Sequence, residues 1–379
     1  MKWNYSSSLD SATGYEQDMD YLTKYSDKEE FRKLPEQEQK EIIKEYMEFY
    51  RDKNIFPITY FNDKGIEKEI NRCMNFEAKI KEGNIVNTGA GVGTKLCNYL
   101  FPNLFEVESL QNIYKLKGGE SAIKRFNTEK FLTRALTFAL RSCNGGATPT
   151  NVFAGLRMCG VMPSNFRPMN AQAIYEKYCP KNGIIYDFAG GFGGRMLGAL
   201  TSKNNYKYFC VEPCEETYNN LITLGNHIER VTNRKNIFKV YKKGSEEYKT
   251  PIGNYIDFAF SSPPYFNLEI YSNEESQSYN KYDTLDSWLE NYVKKTIENI
   301  YYMLKPNCYY AVNIADFEIN KNLKCNFVDE WLRISEECGF EYVEQLHLKL
   351  PKRTGNGDRY KSDRKEGIFV FKKPSNHIG

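Results

Sequence analysis

The feature of this 379-residue sequence that most constrains its fold is an apolar segment that leads straight into a glycine-rich turn. The segment from Ile184 to Phe188 has the composition of a buried strand, and residues 189–195 (Ala-Gly-Gly-Phe-Gly-Gly-Arg) follow it directly. A helix is then expected from about Met196 to Thr201. Glycine lets the backbone approach a ligand closely and present its amide groups. This order of strand, turn and helix therefore predicts an α/β sheet with a nucleoside-binding loop.

Other apolar segments in the same half of the chain alternate with amphipathic ones, which predicts a parallel sheet. The remaining strands of this series are predicted over residues 208–212, 237–241, 255–260 and 308–314. A long helix, closed by Lys305-Pro306, is predicted over residues 283–304. Two tail strands are expected to form a hairpin that completes the sheet: residues 342–350 and 367–372, joined by the polar loop 351–366.

The N-terminal part of the chain has a different character. Residues 1–35 are polar and are expected to be loosely ordered. Apolar residues then recur at helical spacing over residues 35–53, 64–81 and 128–142, so this part is predicted to be mainly helical. We therefore expect two domains, residues 1–155 and residues 156–379.

Side chains around the glycine-rich turn fit a nucleoside ligand. Asp187 ends the strand and can accept the ammonium group of a ligand. Glu212 ends the next predicted strand, where a carboxylate can accept hydrogen bonds from both hydroxyls of a ribose. The chain has no Gly-Lys-Ser/Thr phosphate loop, which argues against a P-loop nucleotidase. The turn is expected to bring its backbone close to the ligand at four positions: Ala189, Gly190, Gly191 and Gly193.

A second glycine-rich segment, residues 89–94, is interpreted as a structural turn. The six residues before it contain only two apolar side chains, Ile85 and Val86, so no clean strand is expected to lead into it. The predicted ligand-binding loop is therefore the one that follows Asp187.

The most specific motif follows the fourth predicted strand, which ends in residues 261–266 (Ser-Ser-Pro-Pro-Tyr-Phe). Pro263 and Pro264 hold the backbone extended and cannot donate ladder hydrogen bonds, which leaves carbonyl groups available to a ligand. The Ser262 hydroxyl and the Pro263 carbonyl can accept hydrogen bonds from an amino group. Tyr265 offers a flat face on which a nucleic-acid base can stack.

Together, residues 187–195 and 262–265 resemble the cofactor loop and the catalytic tetrapeptide of the amino-directed DNA methyltransferases, including those carried by phages and mobile elements. The resemblance covers roughly residues 160–375. It implies an α/β fold of the class I S-adenosylmethionine-dependent methyltransferases: a Rossmann-like seven-stranded sheet with its last strand antiparallel, here with a mainly helical N-terminal extension. The chain departs from the family at Phe188, where the family's loop often carries proline.

The resemblance also implies how the site is used. It assigns S-adenosyl-L-methionine to Asp187, the glycine-rich loop and Glu212, and the methionine end of this cofactor to the segment that contains Arg167. The adenine ring would lie near Ser245, after the third strand. The catalytic tetrapeptide, Ser262 to Tyr265, would hold the amino group of a base flipped out of double-stranded DNA. Serine at its first position favours cytosine N4 over adenine N6.

Composition and the positions of a few residue types limit the classes of protein to which the chain can belong. Lys and Arg number 52 against 49 Asp and Glu, so any contact with DNA must come from local basic patches. The ten cysteines show no regular spacing, and His227, His347 and His377 are scattered along the chain. No apolar run approaches the length of a membrane span. We therefore expect a cytoplasmic protein without a metal site or a membrane anchor, whose oligomeric state the sequence leaves open.

DNA recognition is predicted for the helical region before residue 156, because the segments between the later strands are too short to form a separate domain. The basic loop 351–366 is a further candidate for phosphate contacts, and residues 267–282 are a candidate lid. Two alternatives stay open: a methyltransferase that acts on an RNA base, and a protein that binds the cofactor or DNA without turnover. Sequence does not say whether a nuclease partner exists, as in restriction–modification.

Overall fold

The structure, a computed structural model, describes residues 18–86, 89, 91–109, 119–160, 162–320, 323–349 and 365–375. The described residues form two compact units, each built from discontinuous segments. Unit 1 lies within residues 1–68, 98–164 and 269–271, and unit 2 lies within residues 69–97, 165–268 and 272–379. The division of roles between residues 1–155 and 156–379 stays a prediction.

Helices and strands are numbered along the chain. The α-helices are α1 (Met19–Leu22), α2 (Lys28–Lys33), α3 (Glu36–Lys53), α4 (Asp63–Met74), α5 (Thr94–Leu100), α6 (Ala122–Asn127), α7 (Glu129–Ser142), α8 (Pro149–Met158), α9 (Pro168–Tyr178), α10 (Gly194–Leu200), α11 (Glu215–Thr232), α12 (Ser278–Lys281), α13 (Leu285–Trp288), α14 (Lys295–Met303) and α15 (Phe327–Glu337). The strands are β1 (Lys79–Lys81), β2 (Asn84–Val86), β3 (Glu108–Ser109), β4 (Ile184–Asp187), β5 (Lys207–Val211), β6 (Phe238–Tyr241), β7 (Ile256–Ser261), β8 (Glu269–Ile270), β9 (Leu304–Ile314), β10 (Phe317–Asn320), β11 (Leu323–Cys325), β12 (Glu341–Lys349) and β13 (Lys365–Lys372). Short 3₁₀ helices lie at Pro102–Glu106 and Ser245–Glu247, and a π-helical segment lies at Leu289–Lys294.

Unit 2 contains a nine-stranded sheet in the order β1-β2-β12-β13-β9-β7-β4-β5-β6. Strands β6, β5, β4, β7 and β9 run parallel to one another. Strand β13 is antiparallel to both of its neighbours, β9 and β12. The seven strands from β12 to β6 therefore form the predicted Rossmann-like sheet with its last strand antiparallel. This confirms the predicted fold of the class I methyltransferases.

The middle of this sheet is covered on both faces. Every residue of β7 is buried, as are Ile185 to Asp187 of β4. Parallel strands are typically covered in this way, because the crossover helices between them pack on the two faces. Their sequences are therefore nearly continuous apolar runs, and this is why these strands could be located from the sequence.

The tail strands form the predicted hairpin. β12 and β13 pair antiparallel from Glu341↔Lys372 to Lys349↔Lys365, with one register shift between Tyr342 and Glu344. Residues 350–364 of the connecting loop lie outside the described residues. The proposed phosphate contacts of this loop therefore stay a prediction.

The far edge of the sheet corrects two predictions. The helix predicted over 64–81 ends at Met74, because residues 79–86 form the antiparallel hairpin β1–β2. Glu82 and Gly83 have φ angles of +49° and +70°, the left-handed values of a two-residue turn that matches the twist of its strands. A short strand, β2, therefore does precede the glycine-rich segment 89–94, contrary to expectation.

The helix predicted over 283–304 is confirmed to within two residues, and it contains a π-helical segment. It consists of α13, the π-helical segment and α14, and β9 begins at Leu304. Pro306 lies within β9, where the pairing with β7 shifts register between Ile256 and Phe258. Proline cannot donate a ladder hydrogen bond, and a strand tolerates it at such an irregularity. The proline therefore marks a bulge in a strand and not the end of a helix.

Unit 1 is mainly helical, as predicted for most of its residues. Helices α3 and α7 match the predicted helices 35–53 and 128–142 to within one residue. α3 buries Ile42, Tyr46 and Tyr50, which are four residues apart and therefore lie on one stripe of the helix. The same spacing of leucines buries one face of α7.

Candidate active site

The predicted site residues meet at one edge of the sheet in unit 2. Strands β4, β5 and β7 are parallel neighbours, so Asp187, Glu212 and Ser262 lie at the carboxyl ends of adjacent strands. Ligands of open α/β sheets bind at this edge. The structure thus brings together the glycine-rich loop, the acidic residue after β5 and the tetrapeptide.

Asp187 is fully buried, and protein groups surround its carboxylate. Oδ2 accepts hydrogen bonds from Arg195 Nε at 2.7 Å and from the Tyr208 hydroxyl at 2.6 Å. Oδ1 accepts a hydrogen bond from the backbone amide of Ala189 at 3.1 Å. The predicted contact of Asp187 with the ammonium group of a ligand stays a prediction. The contacts of the carboxylate support a role in shaping the loop.

Arg195 lies inside the glycine-rich loop. Its Nη2 donates to the carbonyl oxygen of Ala189 and, at 3.4 Å, to that of Gly190. Burial lowers the pKa of Arg195, but the charge of Asp187 and their hydrogen bond offset this effect, so that the pKa is raised overall. The guanidinium therefore stays charged and links the strand end to the turn that follows it.

Glu212 lies beside the loop, at the end of β5. Its side chain is buried, and its two carboxylate oxygens accept hydrogen bonds from the amides of Gly191 and Cys214, each at 3.0 Å. Burial raises the pKa of Glu212 to about 7, against the lowering effect of these two hydrogen bonds. When deprotonated, this carboxylate can accept hydrogen bonds from the two hydroxyls of a ribose.

Left-handed backbone and close packing explain the glycines of the loop. Gly191 and Gly193 have φ angles of +57° and +77°, a region that residues with a Cβ rarely adopt. Gly194 begins α10, and a Cβ at this position would lie 1.9 Å from the carbonyl oxygen of Phe166. Larger residues would therefore displace the backbone of the loop.

Arg167 belongs to a segment that packs against this loop. In the same segment, the side-chain amide of Asn165 donates a hydrogen bond to the carbonyl oxygen of Phe192. Arg167 itself is half-buried and directly precedes α9. The predicted contact of Arg167 with the methionine end of the cofactor stays a prediction.

The tetrapeptide continues beyond β7 without regular secondary structure. Ser261, the last residue of β7, donates from Oγ to the carbonyl oxygen of Ala189 at 3.3 Å and so joins this strand to the glycine-rich loop. Ser262 Oγ lies 3.4 Å from both the backbone oxygen and Oδ1 of Asn313. Because the hydroxyl proton is directed at Asn313, the lone pairs of Ser262 Oγ remain available to accept a hydrogen bond.

Tyr265 is half-buried, and two phenylalanines hold its ring. The ring centroid lies 5.8 Å from that of Phe317 and 5.7 Å from that of Phe327, both in edge arrangements. The next residue, Phe266, has a φ of +49° and is buried against Trp288. A left-handed conformation is rare for a bulky residue, and such strain clusters at functional sites. The turn at Tyr265 is therefore held in one conformation by aromatic packing.

Ser245 and Glu246 are both buried after β6. The Ser245 hydroxyl is hydrogen-bonded to the hydroxyl of Thr296 at 2.6 Å, and its predicted role near an adenine ring stays a prediction. Glu246 Oε1 accepts a hydrogen bond from Lys281 Nζ at 3.0 Å. Within the described part of the chain, Oε2 of Glu246 has no hydrogen-bond partner. A buried acceptor of this kind suits a donor group of a ligand.

The roles of three side chains at this edge were not predicted from the sequence: Arg195, Tyr208 and Asn313. Arg195 was placed at the end of the predicted cofactor loop without a role of its own, and Tyr208 has the sequence position of an ordinary strand residue. Asn313 offers a weak signal, since it is a polar residue near the end of an apolar strand, and such a residue requires a partner when it is buried. Its side-chain amide donates to the carbonyl oxygen of Gly367 at 3.0 Å.

The first glycine-rich segment, where it is described, is packed as a turn. Gly93 has a φ of +74°, and a Cβ there would lie 2.8 Å from Leu197 Cδ2. The Gly93 amide donates to Glu69 Oε1 at 2.7 Å. These contacts agree with the structural role interpreted from the sequence.

Three further findings concern the expected protein class. Among the described residues, no helix is both long and apolar enough to cross a membrane. No group of three or more His, Cys, Asp and Glu side chains in the same residues could hold a metal ion. All ten cysteines are free thiols. The expected cytoplasmic location stays a prediction.

No protein-family model matches the chain, and no curated protein matches it. Solved structures with a similar fold include a SAM-dependent O-methyltransferase from Thermotoga maritima, at 16% identity over 60% of this chain and 72% of that one, with a TM-score of 0.36. A TehB-like SAM-dependent methyltransferase from Corynebacterium glutamicum matches at 12% identity over 55% of this chain and 89% of that one, with a TM-score of 0.35. The [4+2]-cyclase SpnF matches at 12% identity over 55% of this chain and 82% of that one, with a TM-score of 0.39. Likeness at this level says nothing about the substrate of this chain.

Proposed function

We propose that this chain is an S-adenosylmethionine-dependent DNA methyltransferase that methylates the exocyclic amino nitrogen of a flipped base, with cytosine N4 favoured over adenine N6. One observation carries the proposal. The tetrapeptide Ser262 to Tyr265, the glycine-rich loop and Glu212 all lie at neighbouring strand ends of one sheet. A nucleoside cofactor and an amino-bearing base can meet at such an edge. The resemblance to enzymes of phages and mobile elements belongs to the same proposal.

The side chains at this edge fit S-adenosyl-L-methionine. When bound, this cofactor supplies a sulfonium methyl group as the electrophile. Glu212 would accept hydrogen bonds from the ribose hydroxyls, and the glycine-rich loop lets its backbone approach the ligand closely. The second carboxylate oxygen of Glu246, which lacks a partner among the described residues, would accept a hydrogen bond from the amino group of the adenine ring.

The tetrapeptide supplies acceptors for the amino group that is to be methylated. Ser262 Oγ, whose proton points to Asn313, and the carbonyl oxygen of Pro263 would each accept one N–H. Two such bonds orient the amino nitrogen, and orientation of this kind contributes a large part of a transfer rate. The flipped base would stack on Tyr265, whose ring is already held by Phe317 and Phe327.

Unit 1 offers a basic surface that suits a nucleic acid. A depression of about 510 Å³ is lined by three arginines, two hydroxyl residues and one aromatic residue: Arg32, Arg134, Arg141, Thr137, Ser142 and Phe138. Among the described residues, no acidic side chain lines it, although Arg32 also pairs with Glu29 at 2.8 Å. Arginines and hydroxyls are the side chains that contact phosphates in protein–DNA complexes. We propose this depression as a contact for the DNA backbone.

The test is to incubate the protein with SAM and mixed-sequence duplex DNA, digest the DNA to nucleosides and identify methylated products by mass spectrometry. Tyr265→Ala removes the proposed stacking surface and is expected to lower product formation at least about fivefold, since base stacking on an aromatic ring contributes roughly 1–3 kcal/mol. Tyr302→Ala is the matched control, because Tyr302 is an exposed tyrosine of α14. It is expected to retain wild-type activity.

Each possible outcome of this experiment supports a different function. N4-methylcytosine that is lost in Tyr265→Ala supports the proposal in full, whereas N6-methyladenine keeps the class and corrects the base. Methyl transfer to RNA but not to DNA would favour an RNA base methyltransferase. Binding of SAM without transfer to either nucleic acid would favour a protein that binds without turnover.

A further inference from the structure

We infer that Arg195 is a positioning residue: it holds two carbonyl groups of the glycine-rich loop and thereby directs the Gly191 amide at Glu212. In this way Arg195 places the carboxylate that is to receive the ribose hydroxyls. The inference rests on the proposed function for the identity of the ligand. The geometry of Arg195, the loop and Glu212 stands without it.

Peptide geometry links the two sides of the loop. A trans peptide unit is planar, so its C=O and N–H groups point in opposite directions. Arg195 Nη2 donates to the carbonyl groups of Ala189 and Gly190. The amides of the same two peptide units belong to Gly190 and Gly191, and the first of these donates to the backbone oxygen of Val211 at 2.8 Å. The second donates to Oε2 of Glu212 at 3.0 Å. A guanidinium on one side therefore fixes the donors on the other side.

Arg195 is itself held rigidly. Its side chain is 7% exposed, and it forms an ion pair with the fully buried carboxylate of Asp187 at 2.7 Å. The Tyr208 hydroxyl donates to the same carboxylate oxygen and so limits its movement. A planar guanidinium can serve the carboxylate and both carbonyl groups at once, whereas a lysine presents a single point charge. Asp187 therefore acts on the loop in two ways: directly, through the amide of Ala189, and through Arg195.

The pKa of Glu212 reports whether Arg195 holds the loop so that the Gly191 amide points at Glu212. The pKa of Glu212 is about 7, and both the hydrogen bond from Gly191 and the positive charge of Arg195 lower it. Loss of the Gly191 hydrogen bond would therefore raise the pKa of Glu212. At a fixed pH near 7.5 a larger fraction of the side chain would be protonated, and a protonated carboxyl is a poorer acceptor for two hydroxyls.

Arg195→Lys is the first variant, because it keeps a positive charge opposite Asp187 but cannot hold both carbonyl groups. Arg234→Lys is the matched control. Arg234 also donates to two backbone carbonyl groups in unit 2, those of Leu200 at 3.2 Å and Tyr206 at 2.8 Å, but it makes neither of the two loop contacts. Two quantities are measured for each protein: the Kd of SAM by calorimetry between pH 6 and pH 9, and the pKa of Glu212 without ligand. The latter comes from carboxyl ¹³C NMR, with Glu212→Gln used to assign the signal.

For Arg195→Lys we expect a Kd about tenfold weaker than wild type, the equivalent of one lost hydrogen bond in a buried site. We also expect the pKa of Glu212, and with it the pH at which affinity falls, to move upward. Arg234→Lys is expected to leave both quantities unchanged. The inference is overturned if Arg195→Lys matches wild type in both measurements, or if Arg234→Lys shows the same changes.

A second variant tests the same inference in case Arg195→Lys does not fold. Asp187→Asn combined with Arg195→Met removes both buried charges together, so that neither is left unpaired. In wild type the charge of Asp187 raises the pKa of Glu212, and the smaller effect of Arg195 lowers it. Loss of both charges alone would therefore lower this pKa, so a pKa that rises or stays the same would report the lost orientation of the loop, and a fall would overturn the inference. If wild type does not bind SAM, the proposed function fails. The NMR titration still decides whether Arg195 controls Glu212.

Discussion

Glu212 binds more protons in the folded chain than in the unfolded chain between about pH 4.5 and pH 7. Its ordinary pKa is 4.5, and burial raises it to about 7 in the structure. Stability falls with rising pH wherever the folded state binds more protons. The stabilisation that the folded chain gains from protonated Glu212 is therefore complete below about pH 4.5, and it is lost as the pH rises through about 7. A residue suited to bind a ligand thus destabilises the free protein at neutral pH.

Glu212→Gln tests this linkage. Glutamine is neutral at every pH, so the variant should gain stability relative to wild type as the pH rises from 5 to 8, by up to about 3 kcal/mol. Urea unfolding followed by circular dichroism at both pH values measures the difference. A constant difference at the two pH values would show that Glu212 does not titrate in this range.

Asn313 is expected to act on transfer and not on cofactor binding. It accepts a hydrogen bond from the Ser262 hydroxyl, and its own side-chain amide donates a hydrogen bond to the carbonyl oxygen of Gly367. Asn313→Ala removes one of the two acceptors of the Ser262 hydroxyl and keeps only the backbone oxygen of residue 313. The hydroxyl then points its proton at the amino group more often, so kcat for the proposed DNA methylation should fall roughly two- to tenfold. The Kd of SAM should change by less than about twofold. Equal changes in both quantities would point to a general loss of structure.

At the level of residues, the sequence predicted those parts of the site that follow strand ends. Asp187, Glu212 and Ser262 could be located because an apolar run identifies a strand and the residue after it lies at the ligand edge. The role of Arg195 could not be predicted in the same way. The sequence placed this residue at the end of the cofactor loop, but that position is equally consistent with an exposed side chain, and only the folded loop shows that the side chain turns inward.

At the level of elements, prediction succeeded where local pattern and tertiary environment agree. Strands β4, β5 and β7 lie in nearly continuous apolar runs, and all but the first residue of β4 and of β5 are buried in the sheet. The hairpin β1–β2 was missed because Lys79 to Lys81 continue the charged pattern of the preceding helix. Its partner, β12, lies far along the chain, so its position at the sheet edge is determined by a contact that no local window contains.

Two glycines of α10 allow this helix to pack closely against the chain before it and against α9. A Cβ at Gly194 would lie 1.9 Å from the carbonyl oxygen of Phe166, and one at Gly198 would lie 2.2 Å from that of Pro168. Gly194→Ala and Gly198→Ala should each destabilise the protein by about 1–3 kcal/mol, because backbone must move. Gly194→Ala should also weaken SAM binding, since Gly194 directly follows the loop.

Thermal melts followed by circular dichroism check this expectation. Gly91→Ala is the control, because its Cβ would meet no atom within 4 Å and its φ lies outside the left-handed region. Its melting temperature should stay within about 2 °C of wild type, as for surface substitutions in general. Unchanged melting of Gly194→Ala and Gly198→Ala would mean that α10 shifts at little cost.

At the level of the whole molecule, charge is almost balanced, with 52 basic and 49 acidic residues. The proposed attraction to DNA would therefore depend on where the charges lie and not on their sum. The depression lined by Arg32, Arg134 and Arg141 is one such place in unit 1. Sequence identified the need for a local patch but could not locate it, because Arg32 and the two arginines of α7 are distant in the chain.

The salt dependence of DNA binding tests this patch. Arg134→Ala combined with Arg141→Ala should weaken binding and should reduce the slope of log K against log salt concentration by about 2, if both side chains contact phosphates. Lys44→Ala combined with Lys64→Ala removes the same charge from exposed positions of α3 and α4 and is the matched control. Fluorescence anisotropy between 50 and 300 mM salt measures both slopes. Equal slopes for the two double variants would exclude the depression as a phosphate contact.

The position of β13 bears on how the protein is made. A ribosome adds residues from the N-terminus at about 5–20 per second, and β13 comes after all the other described strands. Yet it lies inside the sheet, between β9 and β12. Until it emerges, the nascent chain presents two unpaired strand edges, which are templates for aggregation. The sheet therefore closes late in synthesis, and chaperones that shield exposed edges should matter more here than for a sheet assembled in chain order.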